Sequence, residues 1–254
     1  GRDFDQMAQQ LQQLIASQRR LLHDVSHELR SPLARLQAAV GLARQNPERT
    51  GSMLERIERD AIRLDGLVGE LLALARLEAG NALPPLESVD LVELVAAIVD
   101  DARFEARASG RDVAFTGGDA ATATVRAELL HRAFENVIRN AVRYTREASV
   151  VEVRARVRGR PDAGDGPFVL EVADRGPGVP DADLEAIFEP FYRASNGAPG
   201  HGFGLGLAIA RRAITAHGGR IAAANRDGGG LVVEIEVPLQ AGRAAAAVPG
   251  PRPD

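Results

Sequence analysis

His27 stands in the run Val25, Ser26, His27, Glu28, Leu29, Arg30, Ser31, Pro32, with a carboxylate beside it and a hydroxyl one helical turn on. A solvent-facing imidazole is a nucleophile when one ring nitrogen is unprotonated and a neighbour holds the other or takes its proton, and Glu28 can be that neighbour. Further along, Asn136 and Asn140 lie one turn apart on one helix face. Their amide oxygens suit Mg2+, a hard ion that keeps most of its waters and bridges to phosphates. Arg143, Tyr144 and Thr145 follow, a cation for phosphate and an aromatic face for a base. In Asp174, Arg175, Gly176, Pro177, Gly178 the carboxylate can accept from an exocyclic amine, and the glycines let backbone approach a flat ring. Gly202, Gly204, Leu205, Gly206 and Leu207 then open a helix, where free amides and the helix dipole make an anion site. The small residues from Ala194 to Gly202 suit a lid. Singly, each stretch has an ordinary explanation: a surface histidine, capping asparagines, a tight turn. Their order and spacing together are what carry weight.

Helices must present the first site. Leu54, Ile57, Ala61, Leu64, Val68, Leu71 and Ala75 alternate steps of three and four, and upstream Leu22, Val25, Leu29, Leu33, Leu36 and Val40 follow a similar rule, the seam of helices packed lengthwise. Pro32 is expected to kink the first helix. The second is expected to start at Asn46 and Pro47, or at a capping box from Ser52 to Glu55. Ala79, Gly80, Asn81 and the Pro84, Pro85 linker end the hairpin. Two narrow apolar stripes leave it little to bury against, so a homodimeric four-helix bundle is expected, against a monomeric hairpin packed on the following domain.

Beyond the linker the periods mix. Val89 to Ser109, Ala127 to Arg143 and Leu205 to His217 read as helices. The strands expected are 112–116, 122–126, 149–156, 168–173, 220–224 and 231–237. Helices on one face of a sheet follow from that order. The Ala/Pro/Gly-rich end from Ala241 to Asp254 reads as a disordered tail.

Composition closes off other chemistry. The chain has 254 residues, no cysteine and no lysine, all 31 basic residues being arginine. Disulfides, thiol catalysis and cysteine-ligated zinc are excluded, and so are a lysine-bearing P-loop and Schiff-base chemistry on lysine. A net charge of −4 with mixed signs argues against nucleic acid or anionic membrane as a general partner. No apolar run is long enough to span a bilayer.

The stretch from His27 to Leu33 resembles the phosphoacceptor box of histidine kinases almost position for position. The later boxes resemble the ATP-binding domain that those kinases share with DNA gyrase B, Hsp90 chaperones and MutL-type repair proteins, and the likeness covers about residues 20 to 240. It implies an α + α/β architecture, a hairpin forming a dimeric four-helix bundle followed by an α/β sandwich of the Bergerat type. The implied limits are 1–20 for the end of a HAMP-type signalling helix, 21–83 for the dimerisation and histidine phosphotransfer domain, 88–240 for the ATP-binding domain and 241–254 for the tail. The resemblance implies autophosphorylation of His27 from ATP and transfer to an aspartate of a response regulator. Ser31 would then orient water for the reverse, phosphatase, reaction. Glu28 would polarise His27. Asn140, with Asn136 beside it, would hold Mg2+, Asp174 would read the adenine amine with Gly176 and Gly178 in its turn, and Tyr144 would pack near the base. Arg143 and Arg193 would approach the phosphates, wrapped by Gly202, Gly204, Leu205, Gly206 and Leu207.

Ser31 stands where the family often has threonine, Arg143 replaces a frequent lysine, and His201 stands where a glycine often opens the last box. The first twenty residues imply membrane anchoring only through a preceding part, with this chain on the cytoplasmic side of a bacterial inner membrane. The rival readings are a gyrase- or Hsp90-like ATPase, opposed by the upstream hairpin, and a non-catalytic dimeric scaffold, opposed by intact boxes.

Overall fold

A computed structural model describes residues 2–46, 48, 50–79, 84–159, 166–194 and 202–239, with side chains of the first helix described at Phe4 and from Leu22 on. The chain divides into two compact units, residues 1–72 and 73–254. The expected tail, the lid residues 195–201 with His201, and Gly80 and Asn81 lie outside the described residues.

The first unit is a hairpin of α1 (Arg2–Gln45) and most of α2 (Thr50–Ala79). α1 runs through Pro32 unbroken. Pro32 leaves the carbonyl four residues back without its usual donor, yet it is buried, and it joins Ala39 as the most enclosed position of this helix's described part. α2 begins at Thr50, at neither expected start, and the Thr50 hydroxyl donates to the Ala43 carbonyl at 3.3 Å. The inward seam also differs from the expected one. Asp60, Leu67 and Leu74 are the enclosed heptad positions of α2, with Ile57, Leu64 and Leu71 half-buried. Leu22, Leu33, Val40, Leu54, Ile62, Val68 and Leu72 remain exposed. Leu67 is wholly buried, while Val68 beside it is 44% exposed.

In the second unit, β1 (Glu87–Asp90) pairs antiparallel with β3 (Thr122–Val125). The expected helix from Val89 therefore starts later, as α3 (Leu91–Arg107), with Asp90 as its cap. Asp90 Oδ1 accepts from the Val92 amide at 2.9 Å and from the Ala121 amide at 3.1 Å, so one carboxylate closes both the helix end and the strand pair. The main sheet runs β2 (Asp112–Gly117), β4 (Val150–Val157), β5 (Phe168–Ala173), β7 (Leu231–Val237), β6 (Arg220–Asn225). Only the β2–β4 pair is parallel.

Alternation decides the two faces. Val151, Val153, Leu170, Val172, Val233 and Ile235 point into one core with residues of α3, α4 (Ala127–Tyr144) and α5 (Gly206–Ala216). Phe134 of α4 meets Phe168 of β5 with ring centroids 5.9 Å apart. The opposite face carries arginine–glutamate pairs such as Arg154 with Glu152 and Glu171, both at 2.7 Å. Each exposed pair of this kind contributes little, so the sheet is held by its apolar side. The buried imidazole of His217 ties α4 to α5: Nδ1–H donates to the Ala213 carbonyl at 2.7 Å, and Nε2 accepts from the Arg126 amide at 3.1 Å.

Candidate functional site

In the hairpin, His27 is exposed, and Val25, Glu28 and Leu29 around it are half-buried. The imidazole thus stands clear of the seam on a helix that the seam holds, as the spacing predicts. Two neighbouring hydroxyls are used differently. Ser26 donates to the Leu22 carbonyl at 2.8 Å, a local bond common for helical serines. Ser31, one turn beyond His27, instead accepts from Arg35 Nη1 at 2.8 Å.

In the second unit, residues far apart in sequence converge. Asp174 follows β5 and is 4% exposed. Its Oδ1 accepts from the Gly176 amide at 2.7 Å and the Leu231 amide at 3.2 Å. Burial pushes this carboxyl above the usual carboxylate range, against the two amides and the nearby Arg226 guanidinium, which pull it down. Gly176 packs so closely that a Cβ would lie 2.5 Å from the Tyr144 carbonyl oxygen and 2.9 Å from Asp174 Oδ1. Only glycine lets the Asp174 turn rest against the end of α4. Gly178, at φ +68°, sits beside Asn225, where a Cβ would lie 2.7 Å from Oδ1.

α4 faces the glycine box. Asn136 and Asn140 are half-buried, and a Cβ on Gly206, the first residue of α5, would sit 3.2 Å from Asn136 Oδ1. Gly202 adopts φ +77°, and a Cβ there would collide with the Arg143 guanidinium. Gly204 adopts φ +74°, its carbonyl accepts from the Phe191 amide at 2.9 Å, and Leu205 is fully buried. The structure therefore sets Asn136, Arg143, Tyr144, Asp174, Gly176, Gly202 and Gly206 along the C-terminal half of α4. Arg193 is exposed just before the undescribed 195–201 segment. His27, Glu28 and Ser31 belong to the other unit.

The sequence names Thr145 without giving it a role and gives no sign of Asn225 and Arg226. Thr145, only 2% exposed, accepts from the Arg175 amide at 3.1 Å and shares a hydrogen with Ser149 Oγ at 2.7 Å, fixing the Asp174 turn. Asn225 donates to the Val179 carbonyl and to Asp181, both at 2.7 Å, and accepts from the Val179 amide at 3.0 Å. Arg226 donates to Glu152 at 2.7 Å. Thr145 had a signal, its place directly after Tyr144; Asn225 and Arg226 reach across more than forty residues and had none.

Mg2+ fits this donor set. Asn136 and Asn140 offer two neutral amide oxygens, and among the described residues neither side chain is engaged in a hydrogen bond. Among the described residues no cluster of three or more His, Asp and Glu could hold a metal alone. Two amides and ligand phosphates are the kind of shared shell Mg2+ accepts.

Known proteins resemble both parts of the chain. Residues 17–80 match the His Kinase A (phospho-acceptor) domain, and residues 125–241 match the histidine kinase-, DNA gyrase B- and HSP90-like ATPases. The sensor histidine kinase CpxA of Escherichia coli strain K12 is 39% identical over 243 residues, 94% of this chain and 51% of CpxA. The sensor protein CutS of Streptomyces coelicolor is 35% identical over 246 residues, 93% of this chain and 56% of CutS. The chain thus spans about half the length of these curated relatives. In fold it is similar to the Acinetobacter baumannii histidine kinase AdeS, with a TM-score of 0.68 at 21% identity over 84% of this chain and 98% of that one. The full-length ShkA structure in complex with AMPPNP has a TM-score of 0.62 at 29% identity, over 84% of this chain and 44% of ShkA. With a phosphoacceptor module followed by an ATPase module of this kind, the chain belongs to the bacterial two-component sensor histidine kinases.

Proposed function

We propose that this chain autophosphorylates on His27 from ATP, passes the phosphate to an aspartate of a response regulator, and removes it again with the help of Ser31 and Glu28. The observation that carries the reading is the alignment of Asp174, Gly176, Tyr144, Arg143, Gly202, Asn136 and Gly206 along the C-terminal half of α4, in a chain whose hairpin carries an exposed histidine. Asp174 accepts the adenine amine while its Oδ1 is held by two backbone amides. Arg143 and the amides at the start of α5 take the phosphates. Asn140 and Asn136 would hold Mg2+, which supplies charge neutralisation on the phosphate oxygens. A ring nitrogen of His27 attacks the γ-phosphorus, the bond to the bridging oxygen breaks, ADP leaves, and Glu28 steadies the imidazole or takes its proton. The protein's part is mostly positioning and electrostatics.

The exposed apolar positions Leu33, Val40, Leu54, Val68 and Leu72 support pairing of two hairpins as a four-helix bundle. A similar structure, of ThkA, is in complex with the response regulator protein TrrA, which supports a regulator as partner. Among the described residues no helix is long and apolar enough to cross a membrane. The domain limits 1–20, 21–83, 88–240 and 241–254 are part of this reading.

Incubation with γ-labelled ATP and Mg2+ tests the reading. Acid-labile, alkali-stable label on the protein that vanishes in His27→Gln is the expected result. Free phosphate with no protein label points to a plain ATPase, and neither product points to a scaffold.

A further inference from the structure

Asp60 is the one charged residue with a buried side chain among the described residues of the hairpin. Its Oδ1 accepts from both Nε and Nη2 of Arg35, at 3.3 and 3.2 Å, across the two helices. The third arm of the same guanidinium, Nη1, donates to Ser31 Oγ at 2.8 Å. Arg35 lies one turn beyond Ser31, and Ser31 one turn beyond His27, so the three share a helix face. Arg35 is therefore not only one half of an ion pair: Asp60 holds two donors on one edge of the planar guanidinium, and its third nitrogen donates to one hydroxyl.

A helical serine ordinarily spends its proton on the carbonyl one turn back, and Ser26 does so. A hydroxyl has one proton and two lone pairs. Arg35 occupies one lone pair of Ser31, and among the described residues no carbonyl takes its proton. Ser31 is exposed one turn from His27, so the proton and the second lone pair are left for a ligand. That is the arrangement a hydroxyl needs to hold a water by its hydrogen and a phosphoryl oxygen by its own.

We propose that Arg35, locked by Asp60, is the positioning residue that presents the Ser31 hydroxyl for dephosphorylation of the response regulator, and that it sets the ratio of phosphatase to kinase activity. The proposal rests on the phosphatase reading of Ser31. In the step concerned, water attacks the aspartyl phosphorus, the bond to the carboxylate oxygen breaks, the aspartate leaves as carboxylate, and the water proton ends on inorganic phosphate or solvent. Ser31 only orients.

The test uses the whole chain and, as probe, the receiver domain that the phosphorylated chain labels fastest in a purified panel, loaded with acetyl phosphate. Ser31→Ala, Arg35→Met and the charge-swapped pair Arg35→Asp with Asp60→Arg are compared for receiver dephosphorylation and for acid-labile label on His27, with helix content followed by circular dichroism. Arg35→Met keeps the stem but has no donor. The swap keeps the interhelical ion pair but removes the guanidinium from the turn next to Ser31. Expected is a loss of dephosphorylation of about tenfold or more in Arg35→Met and in the swap, with label on His27 within about threefold of the parent. Undiminished dephosphorylation in Ser31→Ala overturns the phosphatase reading and this inference with it. A loss in Ser31→Ala but not in Arg35→Met overturns this inference alone. Recovery of dephosphorylation in the swap overturns it too, since the pair would then be merely structural. If the swap does not fold, Arg35→Met decides.

Discussion

Replacing Asp174 by Asn separates binding from stability. The side chain keeps its shape, and with the amide oxygen in the place of Oδ1 both backbone bonds, from Gly176 at 2.7 Å and Leu231 at 3.2 Å, survive. The other oxygen becomes an NH2, a donor facing the donor amine of adenine. Losing a hydrogen bond to a charged group costs about 1.5–3 kcal/mol, so ATP should bind roughly ten- to a hundredfold more weakly. Stability should move the other way. Burial raises the Asp174 pKa above its ordinary 3.8, so the folded state binds the extra proton more readily than the unfolded state. The group's contribution is fully present below that ordinary value and is lost as pH rises through the raised one. At neutral pH the ionised carboxylate is thus a burden on the fold that Asn removes. The assays are calorimetric titration with Mg2+ and ATP, and thermal melting at pH 7. Expected are weaker binding and a melting temperature equal to or above the parent's. ATP affinity within about twofold of the parent, or a large drop in melting temperature, would refute the reasoning.

Three further substitutions probe the same unit. Gly202→Ala places a Cβ at φ +77° against Arg143, a left-handed penalty of about 1–2 kcal/mol, and should weaken ATP roughly tenfold by titration. Adding Arg143→Ala to that variant should cost less than it does alone, because the two share one contact. His217 is held neutral, its pKa lowered first by burial and partly restored by its bond to Ala213. The unfolded state therefore binds the proton that the folded state refuses, and stability should rise with pH up to the ordinary imidazole value near 6.5 and then level off. Urea unfolding across pH 5 to 8 checks this, and His217→Gln should flatten that part of the curve.

Much of the second unit was legible because its signals are local. The strands 168–173 and 231–237 alternate cleanly and appear as Phe168–Ala173 and Leu231–Val237. β1 was missed because Glu87, Ser88, Val89 and Asp90 are few and mostly polar, and become a strand only through pairing with β3. The hairpin misled more subtly. Stripes through Leu54, Ala61 and Val68 and through Asp60 and Leu67 both satisfy a heptad, so periodicity alone does not say which faces the sister helix. Asp60, excluded from an apolar seam by its type, is in fact the enclosed position, because Arg35 supplies the charge it needs. Likewise the residues that line α4 stand in short boxes that can be picked out in the sequence, whereas Asn225 and Arg226 act only through contacts that folding creates.

The Asp60–Arg35 pair has a mechanical meaning as well. A seam that repeats every seven residues is degenerate: slid by one heptad, the same apolar side chains would meet new but equivalent neighbours. A single polar pair breaks that degeneracy, because after such a slip Asp60 would sit enclosed without its cation. The helices of the hairpin are thereby denied axial sliding by whole repeats, while small rotations that keep the guanidinium in reach stay open. Any displacement imposed on α1 would be filtered accordingly, twist being admitted and translation by whole repeats refused.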